Sequence, residues 1–176
     1  MHDPATPNAA HGNGKPVSIS DSRRPPAGGI SALQAHLLAD IPLARAMSLT
    51  VDAYDGDALT MGAPLAPNIN DKGCAFGGSL ASLMTLAGWG LVKLAVDAKG
   101  IDCDIYVQDS AIRYLAPVWQ DFRTVAQLAH GDTFADFFSA LTSRGKGRLR
   151  VRCVVPLADG TEAATLDARF VALAKR

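Results

Sequence analysis

Apolar and polar positions change period several times along this chain, and each change marks an element. From Ile30, the residues Leu33, Leu37, Leu38 and Ile41 recur three or four apart, the spacing of one helix face. Ser31 followed by Gln34 fits a capping box at its start, and Pro42 stops or bends it. The period then falls to two: Leu49, Val51 and Ala53 alternate with Thr50, Asp52 and Tyr54. After an Asp55-Gly56 turn, Leu59, Met61, Ala63 and Leu65 restore the alternation, which predicts a hairpin. Residues 67–73 read as a loop.

From about Gly77 to Asp97 the pattern is helical again. Leu80, Leu83, Met84, Ala87, Leu91 and Leu94 form one stripe, with Ser79, Ser82, Thr85 and Gly90 opposite. A helix with so little polar surface must be covered nearly all round, and a curled sheet would do it. Residues 75–92 carry no charge and approach the length of a short membrane span. Four glycines in that stretch, its hydroxyl residues and the Lys93 that follows favour a buried helix, and no membrane partner is expected.

The second half reads as strands. Residues 104–115 form one, and its apolar phase shifts between Val107 and Ile112, which predicts a bulge near Asp109. Residues 122–129 form the next. A short helix interrupts, with Thr133 and Asp136 suited to its first turn, Phe134, Phe137, Phe138 and Leu141 on its apolar face, and Gly145 at its end. Leu149, Val151, Cys153 and Val155 then alternate with Arg148, Arg150 and Arg152, and a turn at Asp159-Gly160 leads to a last strand ending near Leu173. The class expected is α+β.

A length of 176 residues suggests one domain. Residues 1–29, rich in Pro, Gly, Asn and Ala and carrying His2, His11, Arg23 and Arg24, read as a flexible tail, and 30–176 as the domain. Lys+Arg and Asp+Glu are equal at 17 each, so no global basic field invites nucleic acid. Cys74, Cys103 and Cys153 are an odd set without CxxC spacing, which points to a reducing compartment and away from disulfides or structural zinc. With no secretory signal, a cytoplasmic protein is expected.

The candidate chemistry lies at Asn70-Asp71-Lys72-Gly73-Cys74-Ala75-Phe76-Gly77-Gly78. First-turn amides of a helix lack helical partners and stand at the positive end of its dipole. Aimed at a thioester oxygen, they polarise the carbonyl. Gly77 and Gly78 permit close approach, and Asn70 is placed to orient water or substrate. Helix-to-sheet packing through small residues explains the same pattern equally well. Arg144, Lys146, Arg148, Arg150 and Arg152 make either a solvated outer face or a surface for CoA phosphates or an acidic carrier protein. His36 and His130 have no evident nucleophile to serve and read as structural, and no His–carboxylate pair stands out near the central helix.

This loop and helix resemble the hotdog thioesterases. The phenylacetyl-CoA thioesterase type carries Asn-x-x-Gly-x-x-His-Gly-Gly before its central helix, matched here at Asn70, Gly73, Gly77 and Gly78. The thioesterase-like domain found fused to GNAT acetyltransferases (YiiD C-terminal type) is closer. Its pattern appears in Ile41-Pro42-Leu43, Ala63-Pro64-Leu65, residues 68–70, residues 75–80 and Gly88-Trp89-Gly90, over about 30–174. No acetyltransferase domain fits in this length, so a stand-alone version is expected. The resemblance implies a hotdog fold, a homodimer with sites between protomers (pairing into tetramers left open), a substrate on acyl-CoA or acyl-carrier protein, and no cofactor or metal. It places Phe76, Gly77, Gly78 and Ser79 at the substrate. Two departures stand out: Phe76 replaces the family's His, and its catalytic Asp falls on Thr85. A threonine orients water but is a poor base, so Asp109 is the candidate base and Asp71 the second. A binding or sensing module without catalysis is the competing expectation, and a hydratase a remote third.

Overall fold

The first described helix, α1 (Gly29–Asp40), buries Leu33 and Leu37. The structure is a computed structural model that describes residues 29–175; the segment 1–28, with His2, His11, Arg23 and Arg24, lies outside the described residues. α1 is already helical at Gly29, so Ser31 sits inside it and the expected capping box does not form. Gln34 works elsewhere: its Oε1 accepts from the Val51 amide at 2.7 Å and ties α1 to the first strand. The helix stops at Asp40 and Ile41 is extended, as expected of the residue before Pro42. Pro42 opens α2 (Pro42–Ala46), where its missing N–H leaves nothing unpaired.

β1 (Thr50–Tyr54) and β2 (Ala58–Ala63) form the expected hairpin, with a bulge between Val51 and Ala53. The inserted residue reverses the alternation, so Ala53 is exposed and Tyr54 half-buried, opposite to the simple pattern. Asp55 closes the turn by accepting from the amides of Asp57 (2.9 Å) and Ala58 (2.7 Å), which holds its carboxyl below the usual range.

The long helix α3 (Gly77–Ala98) starts and ends almost where its apolar run does, and eleven of its residues are buried, among them Leu83, Met84, Ala87 and Leu91. It packs against β2, β3 (Cys103–Tyr114), β4 (Phe122–Leu128), β5 (Lys146–Pro156) and β6 (Glu162–Ala174). It is long and apolar enough to cross a membrane by length and composition, and 61% of its most apolar stretch is buried within the fold. Two glycines set the close approach: a Cβ at Gly88 would lie 2.8 Å from the buried Phe170 ring, and one at Gly90 2.7 Å from Met61 Cε.

The six strands are paired antiparallel in the order β1-β2-β4-β5-β6-β3. The helical insert α4 (Phe134–Arg144) follows its sequence signals: the Thr133 hydroxyl accepts from Asp136 N at 3.1 Å, Phe137 and Leu141 are buried, and Gly145 closes it at φ 66°. Among the described residues, strand β3 ends the sheet with no neighbour on its outer side. The bulge expected near Asp109 lies between Val107 and Asp109 in the β3–β6 ladder.

Candidate active site at the start of the central helix

The loop before α3 is built on two asparagines. Asn68 is buried; its Nδ2 donates to the carbonyls of Met47 (2.9 Å) and Pro64 (2.7 Å), and its own carbonyl accepts from Phe76 N (2.7 Å). Its Oδ1 is buried without a partner among the described residues. Asn70 is bonded within the loop. Its Oδ1 accepts from the amides of Lys72 (2.8 Å) and Cys74 (3.2 Å), and its Nδ2 contacts Cys74 Sγ at 3.2 Å. Gly73 takes a φ of 88°, the left-handed region that favours glycine. Ala75 N then donates to Val118 O (2.8 Å), which pins the loop to the segment after β3.

Phe76 is the N-cap of α3 and offers no capping side chain. Its carbonyl accepts from Ser79 N (2.9 Å) and Leu80 N (3.1 Å). Among the described residues nothing accepts from the amides of Gly77 and Gly78. Two unclaimed donors therefore sit at the positive end of a 22-residue helix.

The space beside them is occupied by the protein's own rings. A Cβ at Gly78 would collide with the Phe76 ring, and one at Gly77 would lie 3.4 Å from Tyr114. The Tyr114 hydroxyl donates to Gly77 O at 3.1 Å. Trp119 packs beside Gly73. All three rings are more than half exposed, at 55%, 56% and 61% for Phe76, Tyr114 and Trp119. The glycines thus make room for side chains of this chain.

Along the helix from Gly78, Ser82, Thr85 and Trp89 follow at spacings of four, three and four, so they share one half-exposed stripe. Both hydroxyls turn inward: Ser82 Oγ donates to Gly78 O and Thr85 Oγ1 to Ala81 O, each at 2.8 Å. Ser79 is half-buried in the first turn.

Asp109 stands apart from this group. The bulge puts it opposite Arg169, 3.6 Å away, on the outer face of the sheet. Without the extra residue at Gln108 it would share the inward side of Val107. Asp71 is exposed and paired with Lys72 at 2.9 Å. The chain therefore gathers Asn70, Phe76, Gly77, Gly78 and Ser79, holds Thr85 two turns along, and points Asp109 away.

The sequence of residues 30–174 matches the model of a family described as "Putative thioesterase (yiiD_Cterm)". The chain belongs to this family. The architecture of this thioesterase-family member is shared with solved structures. A protein of unknown function from Chlorobaculum tepidum TLS superposes with a TM-score of 0.80 at 28% identity, covering 88% of this chain and 100% of that one. A "putative thioesterase" from Shewanella oneidensis gives 0.74 at 29% identity, over 84% of this chain and 99% of its own. A Haemophilus influenzae thioesterase, at 11% identity and TM-score 0.62 over 82% and 90%, shows the same fold. The fold is the hotdog fold expected from the motif resemblance.

Two features of this family member escaped the sequence reading. Tyr114 reaches Gly77 across 37 positions, and no local signal announces that. His36 Nδ1 and Asp40 Oδ2 form a pair at 2.8 Å, and the His36 ring stacks on Trp89 of the central helix, centroids 5.7 Å apart. This overturns the expectation that no His–carboxylate pair stands near that helix. Its signal was present as an i,i+4 spacing on a predicted helix. Trp89 is twelve residues past Gly77, about 18 Å along the axis, so the pair does not reach the Gly77 and Gly78 amides.

Proposed function

We propose that this protein hydrolyses acyl thioesters carried on CoA or acyl-carrier protein, as a cytoplasmic homodimer without metal or bound cofactor. The observation that carries the reading is the pair of unclaimed amides at Gly77 and Gly78, since the next two amides turn back onto Phe76 O. A thioester oxygen placed over them gains two donors and the helix dipole as negative charge develops. The exposed Phe76 ring swings aside to admit it, and with Tyr114 it walls the acyl group. Water adds to the carbonyl carbon, the C–S bond breaks, and the thiolate leaves with the proton that water loses. Asn70 keeps the loop in shape, and Ser79 and Thr85 line the helix beyond. Asp109 acts as base only if a second copy brings it to the amides, because in its own protomer it faces outward. Asp71 is the alternative. A second copy has a place to bind in the unpaired edge of β3.

The competing reading, an acyl-thioester binding or sensing module, is favoured by the bond from Thr85 to Ala81 O and by the pairing of Asp109 with Arg169. Steady-state assay of the purified protein against a panel of acyl-CoA chain lengths separates the two. Turnover on at least one supports hydrolysis. Binding without turnover on any, unchanged in Asp109→Ala, establishes the second reading instead.

A further inference from the structure

The side chains first considered as a base are engaged elsewhere. The Thr85 hydroxyl donates to Ala81 O, Asp71 is paired with Lys72, and Asp109 faces Arg169 on the outer side of the sheet. The His36–Asp40 pair remains. His36 Nδ1 donates to Asp40 Oδ2 at 2.8 Å, which puts the ring proton on Nδ1 and leaves a lone pair on Nε2. His36 is exposed, and among the described residues nothing bonds its Nε2. An imidazole oriented by a carboxylate, with its other nitrogen open, is equipped to take a proton from water.

Packing fixes where this imidazole stands. α1 crosses α3 beside Gly90, where a Cβ would lie 3.2 Å from Leu33 Cδ2. The His36 ring stacks on Trp89 with the two planes 20° apart. Trp89 in turn donates from Nε1 to Ile105 O of β3 at 3.1 Å. It closes the half-exposed stripe that Gly78 opens, and at the Gly78 end Tyr114 of β3 donates its hydroxyl to Gly77 O. Strand β3 therefore runs past both groups, the amides near Tyr114 and the imidazole near Ile105. Within one chain they lie about 18 Å apart along the α3 axis. A homodimer that continues the antiparallel sheet through the β3 edge pairs this strand with itself. Two-fold symmetry then sets the Ile105 end of one copy beside the Tyr114 end of the other.

We propose that His36 of one copy is the catalytic base at the Gly77 and Gly78 amides of the other, with Asp40 as its positioning residue. The assignment rests on the homodimeric hydrolase reading above. Nε2 takes a proton from water as the water oxygen bonds the carbonyl carbon. The C–S bond then breaks, the sulfur leaves with the bonding electrons, and the same proton passes from Nε2 to sulfur. The products are the carboxylic acid and the thiol, and the imidazole ends as it began. Each of the two sites is built from both copies.

Steady-state turnover of acyl-CoA by the full chain and its variants tests the proposal. His36→Ala should lower kcat by about a hundredfold, and added imidazole should restore part of it. His36→Gln keeps a planar group against Trp89, so it should melt like wild type and stay as slow, which separates loss of the base from loss of packing. Asp40→Asn should lower kcat and leave KM unchanged. Gly77→Pro removes one of the two amide donors. Proline suits the first helical position, and Phe76 before it is already extended (φ −67°, ψ 131°), so the helix is kept. A heterodimer of one His36→Ala copy and one Gly77→Pro copy, isolated through two different tags, should regain about half of wild-type turnover, because one of its sites has both parts intact. Each variant homodimer should stay slow. A heterodimer as slow as its parents overturns the contribution in trans, and wild-type turnover in His36→Gln overturns the base. Either result leaves hydrolysis standing. Absence of wild-type turnover on every acyl-CoA overturns both readings.

Discussion

Asn70 and Thr85 show how local bonding narrows a residue's role. Asn70 supplies the acceptor for two loop amides, so Asn70→Ala leaves both without it and should cost about 1–2 kcal/mol in urea unfolding. Asn70→Asp keeps the acceptor and should retain most of that stability. If Asn70→Ala unfolds like wild type but loses turnover, the side chain serves the substrate instead. The Thr85 hydroxyl proton is committed to Ala81 O, which leaves only lone pairs for water. Thr85→Asp restores a carboxylate two turns from the amides and should raise acyl-CoA turnover by about a hundredfold, a typical general-base contribution. An unchanged kcat would show that the base does not act from this position. Cys153 makes a chemical contrast. It is fully buried, its Sγ contacts Met84 O at 3.2 Å, and burial pushes its thiol up to about 12. A disulfide reagent at pH near 8 should therefore leave Cys153 unmodified in the native state, while half-exposed Cys103 reacts.

Among the elements, α3 depends on glycines in its interior, which propensity alone disfavours by about 1 kcal/mol each. The sheet explains them. Gly88→Ala pushes a methyl into the Phe170 ring, which is buried and has nowhere to move, and should destabilise by about 1–3 kcal/mol. Gly90→Ala meets the ends of Met61, Leu59 and Leu33, which yield more easily, so its cost in thermal unfolding should be the smaller. The hairpin turns carry an acid-sensitive clasp. Asp55 accepts from two backbone amides, and Asp159 from the amide and hydroxyl of Thr161 (2.9 and 2.7 Å). Both carboxyls are held below the usual range by these bonds. Their stabilisation is complete above the unfolded value of about 3.9 and is lost as pH falls through the lower folded values. In acid titrations followed by circular dichroism, the stability gap between wild type and Asp55→Ala should shrink below about pH 4.

At the scale of the whole molecule, the described residues leave one long strand edge open. β3 runs twelve residues and, among the described residues, pairs only with β6, and Tyr106 and Val107 are exposed along it. Such an edge is a template for another strand. If the protein pairs through it, as the proposed homodimer requires, Val107→Lys should shift its size-exclusion mass from dimer to monomer. In the proposed homodimer this edge would bring Asp109 of a second copy toward the amides, so that variant should also lower turnover if Asp109 is the base. Retained turnover in a monomeric variant would assign the base to the protomer itself.

The elements were readable in the chain because burial repeats with the local period. The α3 limits, the α4 caps at Thr133 and Gly145, and the β3 bulge all follow from neighbours within a few positions. The Asn70, Gly73, Gly77 and Gly78 motif likewise located the loop and helix start. Folding decided how that place is furnished. The rings of Phe76 and Tyr114 over the paired glycines, the outward turn of Asp109 and the stacking of His36 on Trp89 depend on register and on partners far apart in the sequence. Alternation names two faces for a strand. Only the ladder, with its single extra residue at Gln108, chooses which face receives the carboxylate.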